Sequence, residues 1–279
     1  MALFMGFIAL VAFVFGKASG YGISYAGIAL MISGLLSLGS YYWGDKLVLA
    51  ISGAHPADRT KDFDFYTVAE NLSIAAGIPK PKLYIIEDSA PNAFATGRDP
   101  QHAVVCATRG ILQKLDRTEL EGVIAHELSH IKNFDTRLLA VIAVLVGMVA
   151  FLSDWFMRTL WWGGRRRDND KSAGAIMLIG IIFAILSPLV ASLIQLAVSR
   201  RREFLADASG ALLTRYPEGL ARALEKISQD KEVLEVATNA TAHLYIINPF
   251  KGKNFGAWFA GIFNTHPPIA ERVKILRSM

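Results

Sequence analysis

Cysteine is nearly absent: the 279 residues hold one, Cys106. No disulfide can form within the chain, which excludes the stapled frameworks of small secreted domains and fits a reducing compartment or an embedded protein. Charge is sparse too, at 19% of residues against 53% hydrophobic, and mean hydropathy is +0.36. That balance excludes a disordered chain and argues against an ordinary soluble enzyme. The first apolar run has no basic region before it and no Ala-x-Ala site after it, which argues against a secretory signal peptide. No internal repeat or low-complexity tract is present, so solenoid and fibrous classes drop out. Net charge is +5 and the isoelectric point near 9.3. The excess basic residues sit near the ends of apolar runs without interleaved aromatics, which reads as contact with lipid headgroups and not with nucleic acid.

What is present, first, is long charge-poor stretches: Ala2 to Phe15, Tyr21 to Trp43, Leu138 to Leu152 and Ala173 to Val198. The second and fourth exceed the ~20 residues a helix needs to cross a bilayer, the third gains length from its flanks, and the first is marginal. Tyr41, Tyr42 and Trp43 close the second run, and Trp155, Trp161 and Trp162 follow the third, as an interfacial belt would. Gly27, Gly34, Ser33, Ser37 and Ser40 let backbones approach in lipid, either against the first run or in an oligomer. The expected organisation is a helix pair over 1–44, a first polar block over 45–137, a hydrophobic hairpin over 138–198 and a second polar block over 199–279. A hairpin returns the chain to the face it left, so the two polar blocks can fold together.

The first block predicts a helix over Phe65 to Ala76, stopped by Gly77 and Pro79, and a strand over Lys82 to Ile86. An extended piece over Pro91 to Gly97, a turn over Arg98 to Gln101 and a strand over Ala103 to Thr108 follow. The second block predicts helices over Ser199 to Leu213, Glu218 to Ser228 and Pro267 to Leu276. The expected fold is mainly α with a small β-sheet. His55 reads as a linker residue, His102 as a turn residue and His243 as part of an apolar segment; none has ligand spacing. Cys106 reads as a small buried hydrophobe.

Chemistry concentrates in His126-Glu127-Leu128-Ser129-His130. Imidazoles four residues apart on a helix stack on one face, so one metal ion can be held by both. Glu127 lies one position on from the first imidazole, where its carboxylate reaches a water beside the metal without becoming a ligand. Asp116 with Glu119 forms a capping-box pattern, and Leu120, Val123, Ile124 and Leu128 recur at helical spacing, so the motif is predicted on a helix. A hydrolytic zinc takes three protein ligands and a water. The best third candidate is Glu203, just past the fourth apolar run, where a hairpin would return it toward His130. Asp207, one turn on, has the position to accept the free ring N–H of a ligand histidine.

Four blocks in order now resemble the HtpX family of membrane-bound zinc proteases, relatives of the CAAX prenyl proteases. They are Pro91-Asn92-Ala93-Phe94-Ala95-Thr96-Gly97, the stretch from His126 to Asp135, the stretch Arg202-Glu203-Phe204-Leu205-Ala206-Asp207, and Thr265-His266-Pro267-Pro268. The resemblance implies a gluzincin-type zinc protease domain anchored by four hydrophobic transmembrane helices, in the cell (inner) membrane with the catalytic domain facing the cytoplasm. It implies one Zn2+ per chain on His126, His130 and Glu203, with Glu127 as general base. Endoproteolysis of damaged or misfolded membrane proteins is the implied activity, with polypeptides and the lipid bilayer as partners. In related proteases an edge strand beside the zinc helix takes the substrate as an added strand; Asn92, Ala93, Phe94 and Ala95 fit that role. By the same resemblance His266, Arg272 or both stabilise the oxyanion of the tetrahedral intermediate. Ser199 stands where some relatives carry Asn, so it receives no substrate role.

Two alternatives stay open. One is a catalytically silent membrane scaffold with structural zinc, which would need four protein ligands. The other is a prenyl-protein protease, against which the small number of apolar runs argues. Charge does not orient the chain: Lys46, Lys132, Arg137, Arg200, Arg201 and Arg202 on the catalytic side balance Lys17, Arg158, Arg165, Arg166, Arg167 and Lys171 on the other.

Overall fold

A computed structural model describes residues 39, 41–139, 200–238, 241, 244–247, 249 and 267–279. The chain divides into two compact units, 1–43 with 145–192, and 44–144 with 193–279. Almost all of the first unit lies outside the described residues, as do His243, His266 and nearly all of the four apolar runs. Among the described residues no helix is long and apolar enough to cross a membrane.

The second unit is mainly helical with a small mixed sheet. Its elements are β1 (His55–Pro56), α1 (Phe63–Ala76), β2 (Lys82–Ile86), β3 (Ala93–Thr96), β4 (Val104–Thr108), α2 (Arg109–Lys114), α3 (Arg117–Lys132), α4 (Arg200–Thr214), α5 (Pro217–Gln229) and α6 (Ile269–Leu276). Strand order is β1-β2-β4-β3, with β2 and β4 parallel and both outer pairs antiparallel. Every residue of β4 is buried, as expected of a strand covered on both faces.

Helix α3 runs through the middle of the unit. Its capping box forms as the sequence predicts: Asp116 accepts from the Glu119 backbone, and the Glu119 side chain accepts from the Asp116 backbone. Leu120, Val123, Ile124, Leu128 and Ile131 are buried along it, each contributing about 1.5–3 kcal/mol by leaving water. α1, α4, α5 and β3 pack against α3. Two glycines set the closest approaches. A Cβ on Gly122 would meet the Leu220 backbone at 2.6 Å, and one on Gly210 would meet the His126 nitrogen at 3.0 Å. Gly210 thereby lets α4 lie directly on the turn of α3 that carries the first histidine.

The structure corrects the sequence reading at several points. His55 is paired, not in a linker: it forms with Pro56 a two-residue edge strand against Ile85 and Tyr84, short enough to leave no periodicity to read. Thr108 accepts from Ile111 N and starts helix α2, which follows β4 without an intervening loop and was not predicted. The turn after Gly97 closes as a 3-10 turn over Pro100–His102, capped by Asp99. The last helix begins at Ile269, two residues later than predicted, with Pro268 as its N-cap at φ -54°, ψ 132°.

Candidate metal centre and catalytic site

His126 and His130 project from the buried side of α3 toward the first turn of α4. Their Nε2 atoms lie 3.2 Å apart. Glu203 reaches both, with Oε1 3.5 Å from His130 Nε2 and Oε2 3.8 Å from His126 Nε2. All three side chains are buried, and one ligand atom from each falls within 4.8 Å of the others. Ligand atoms at ~2.0–2.2 Å from a tetrahedral zinc sit roughly 3.3 Å from one another, so the cluster matches that geometry.

The far nitrogens decide the donor chemistry. His126 Nδ1 lies 2.9 Å from Asp207 Oδ1, and His130 Nδ1 lies 3.0 Å from Asp135 Oδ2. A carboxylate only accepts, so each Nδ1 carries a proton and each Nε2 is the nitrogen left to face the cluster. Two ring nitrogens and a carboxylate turned on one another in a buried space call for a positive charge among them, a proton or a metal cation. The residues therefore fit a divalent metal.

Behind Asp207 lies Arg272, also fully buried. Its Nε and Nη2 donate to the two carboxylate oxygens at 2.8 and 2.7 Å. Burial works to raise the Asp207 carboxyl, but the Arg272 charge and hydrogen bonds, with His126, prevail and hold it at about 2. Arg272 Nη1 also lies 3.7 Å from Glu203 Oε2 and donates to Ile246 O at 3.4 Å. Its guanidinium is thus directed at the ligand set from behind.

Glu127 is buried beside the cluster. Burial pushes its carboxyl up to about 7, with the charge of Glu203 adding to the effect; His130, the Ala95 backbone N–H and Arg272 oppose it. His130 behaves differently from His126. Burial works to lower both rings, and lowers His126, yet the hydrogen bond from Asp135 and the charges of Glu203 and Glu127 raise His130 to about 9.

β3 forms the wall beside Glu127. Its residues alternate, so Asn92, Phe94 and Thr96 turn their backbone groups to β4 while Ala93 and Ala95 turn theirs outward. Ala95 N–H is directed at Glu127. Ala93 O is taken by Ile246 N at 3.0 Å, and the Asn92 side chain donates to Ile247 O at 3.0 Å. Phe94 is buried edge-on against Tyr245, ring centres 5.2 Å apart. Asn92, Ala93 and Phe94 therefore have partners within the chain, and the outward edge is occupied at its Ala93 end.

Sequence reasoning gave no role to Asp135, Arg202 or the 244–247 segment. Asp135 stands five residues beyond His130, off the helical face that the spacing argument follows. Arg202 reads as one more cation at the edge of an apolar run. The 244–247 segment has no periodicity.

Two histidines and a glutamate gathered on one ion-sized space, with a buried carboxyl alongside, define a metallopeptidase site. The chain belongs to peptidase family M48, whose model matches residues 60–279. It is similar to the "Protease HtpX homolog" of Thermoanaerobacter pseudethanolicus, 49% identical over 244 residues that cover 86% of this chain and 80% of the relative. The "Protease HtpX homolog" of Tropheryma whipplei (strain Twist) is 42% identical over 279 residues, covering 97% and 94%. Among solved structures, the crystal structure of S. mikatae Ste24p aligns at a TM-score of 0.49 and 18% identity over 99% of this chain, which spans 62% of the length of that protein.

Proposed function

We propose that this protein is a membrane-embedded zinc endopeptidase that hydrolyses peptide bonds in damaged or misfolded membrane proteins. The observation that carries the reading is the convergence of Glu203 on two imidazoles whose Nδ1 protons are already held by carboxylates. His126, His130 and Glu203 would hold one Zn2+. Bound there, zinc would supply Lewis-acid chemistry, bringing the pKa of a water toward ~7 and polarising the scissile carbonyl.

The chain's own residues do the rest. Glu127 takes the proton of the attacking water and later gives it to the leaving amine. Its burial suits that task, since leaving water raises the carboxyl and makes it take up a proton more readily than an exposed glutamate. Substrate main chain lies along the outward edge of β3 at the Ala95 carbonyl, with Asn92, Ala93 and Phe94 fixing the wall. Pairing through main-chain groups gives little sequence preference, which suits an enzyme that clears varied proteins. Arg272 orients Asp207 and hence His126; by the family resemblance His266, Arg272 or both would stabilise the oxyanion.

Two measurements test this reading. Metal analysis of the full chain in detergent is expected to give one zinc per chain, with casein hydrolysis lost on chelation and restored by zinc. Hydrolysis that survives complete zinc removal would overturn it. For the membrane arrangement, reporters fused at Arg166 and at Met279 are expected on opposite sides of the membrane, the latter in the cytoplasm. Both reporters on one side would mean that the hydrophobic hairpin does not span.

A further inference from the structure

The support behind His126 has a counterpart behind the other histidine. We propose that Asp135 and Arg202 are a positioning pair for His130, in which Asp135 fixes the ring through Nδ1–H and Arg202 fixes Asp135. The inference rests on the metal-site reading and adds to it the residues that set how firmly the second imidazole is held.

Geometry carries it. Five residues of continued helix would leave Asp135 roughly 140° around from His130, facing away. The chain prevents this by breaking α3 at Asn133 and passing through Phe134 at φ 59°, in the left-handed region, before helix resumes at residue 135. A bulky residue held there is uncommon and persists where the surroundings demand it. The break swings Asp135 back under the ring, where it is 3% exposed. Its two oxygens are divided: Oδ2 takes His130 Nδ1 at 3.0 Å, and Oδ1 takes the Arg202 guanidinium.

Arg202 immediately precedes Glu203, so the first turn of α4 delivers the third ligand and this clamp together, and Asp207 one turn on serves the other histidine. The two supports differ in one respect. The Arg272 side chain is 0% exposed, whereas that of Arg202 is 40% exposed. The His130 support is therefore the looser of the two, open to water at its outer end.

The test measures zinc affinity and dissociation rate by chelator competition on the full chain in detergent, with circular dichroism as the fold control. Asp135→Asn is expected to weaken zinc binding about 10–100-fold. Arg202→Ala is expected to weaken it about tenfold, chiefly by faster dissociation, and Arg202→Lys to recover part of the loss. Because Arg202 acts through Asp135, the double variant is expected to be no weaker than Asp135→Asn alone. Should Asp135→Asn fail to fold, the two Arg202 variants decide, since that side chain lies partly in solvent. Additive losses in the double variant, or zinc binding unchanged by Arg202→Ala, would overturn the proposal. A wild-type chain that binds no zinc would instead remove the metal-site reading beneath it.

Discussion

Glu127→Gln is expected to lower peptide hydrolysis about 10²–10⁴-fold while leaving zinc content and fold unchanged. The substitution is informative because it keeps the shape of the side chain. Gln retains an oxygen that accepts the Ala95 N–H, so the wall between β3 and α3 keeps its contact. It loses only the capacity to take and return a proton. Glu127→Ala removes the acceptor as well and is expected to be at least as inactive. Both variants should bind zinc as the parent does, because Glu127 lies outside the three-residue cluster. Casein hydrolysis on metal-loaded protein is the readout. Full activity in zinc-loaded Glu127→Gln would remove Glu127 from the reaction and with it the general-base mechanism.

Arg272→Ala is the second large effect expected, and it falls on stability as much as on activity. The guanidinium is wholly buried and forked onto Asp207. Removing one partner of a buried pair strands the other charge, which typically costs about 3–5 kcal/mol. Here the stranded charge is the carboxylate that holds His126 Nδ1. The variant is expected to unfold at markedly lower temperature and to bind zinc more weakly. Lys in its place cannot make the paired hydrogen bonds, so Arg272→Lys should rescue poorly. Thermal unfolding with and without added zinc measures both. A variant as stable as the parent, with unchanged metal affinity, would show that the Arg272–Asp207 pair does not position the ligand.

These two residues show what the sequence discloses and where it stops. The zinc-binding helix was legible because everything that defines it is local. Asp116 and Glu119 cap its start, the apolar residues recur at helical spacing, and two histidines share a face. Glu203 was legible through a longer argument, from the hydrophobic run before it to the face on which the chain re-emerges. The central strands were legible as short apolar runs between turns.

The supports were harder. Asp207 could be read because it is one helical turn from Glu203. Asp135 could not, because its place depends on a left-handed residue at Phe134, and phenylalanine gives no signal of that conformation. Arg272 was read toward the substrate, on the strength of a motif; its buried fork onto Asp207 depends on α6 packing against α4, a contact between segments 65 residues apart along the chain. The family resemblance gives Asn92 to Ala95 as a strand that takes substrate along its edge. Contacts from Ile246 and Ile247, about 150 residues on, occupy its Ala93 end. Such long-range pairing leaves no trace in local pattern.

The central claim is that carboxylate and imidazoles from separate stretches share one ion. X-ray absorption at the zinc edge, on the purified full chain and on Glu203→Ala, tests it most directly. The parent should show two imidazole nitrogens at ~2.0–2.1 Å with oxygen neighbours at ~2.0–2.2 Å, and Glu203→Ala should lose zinc or show an altered oxygen shell. Zinc held by Glu203→Ala with an identical spectrum would contradict the account.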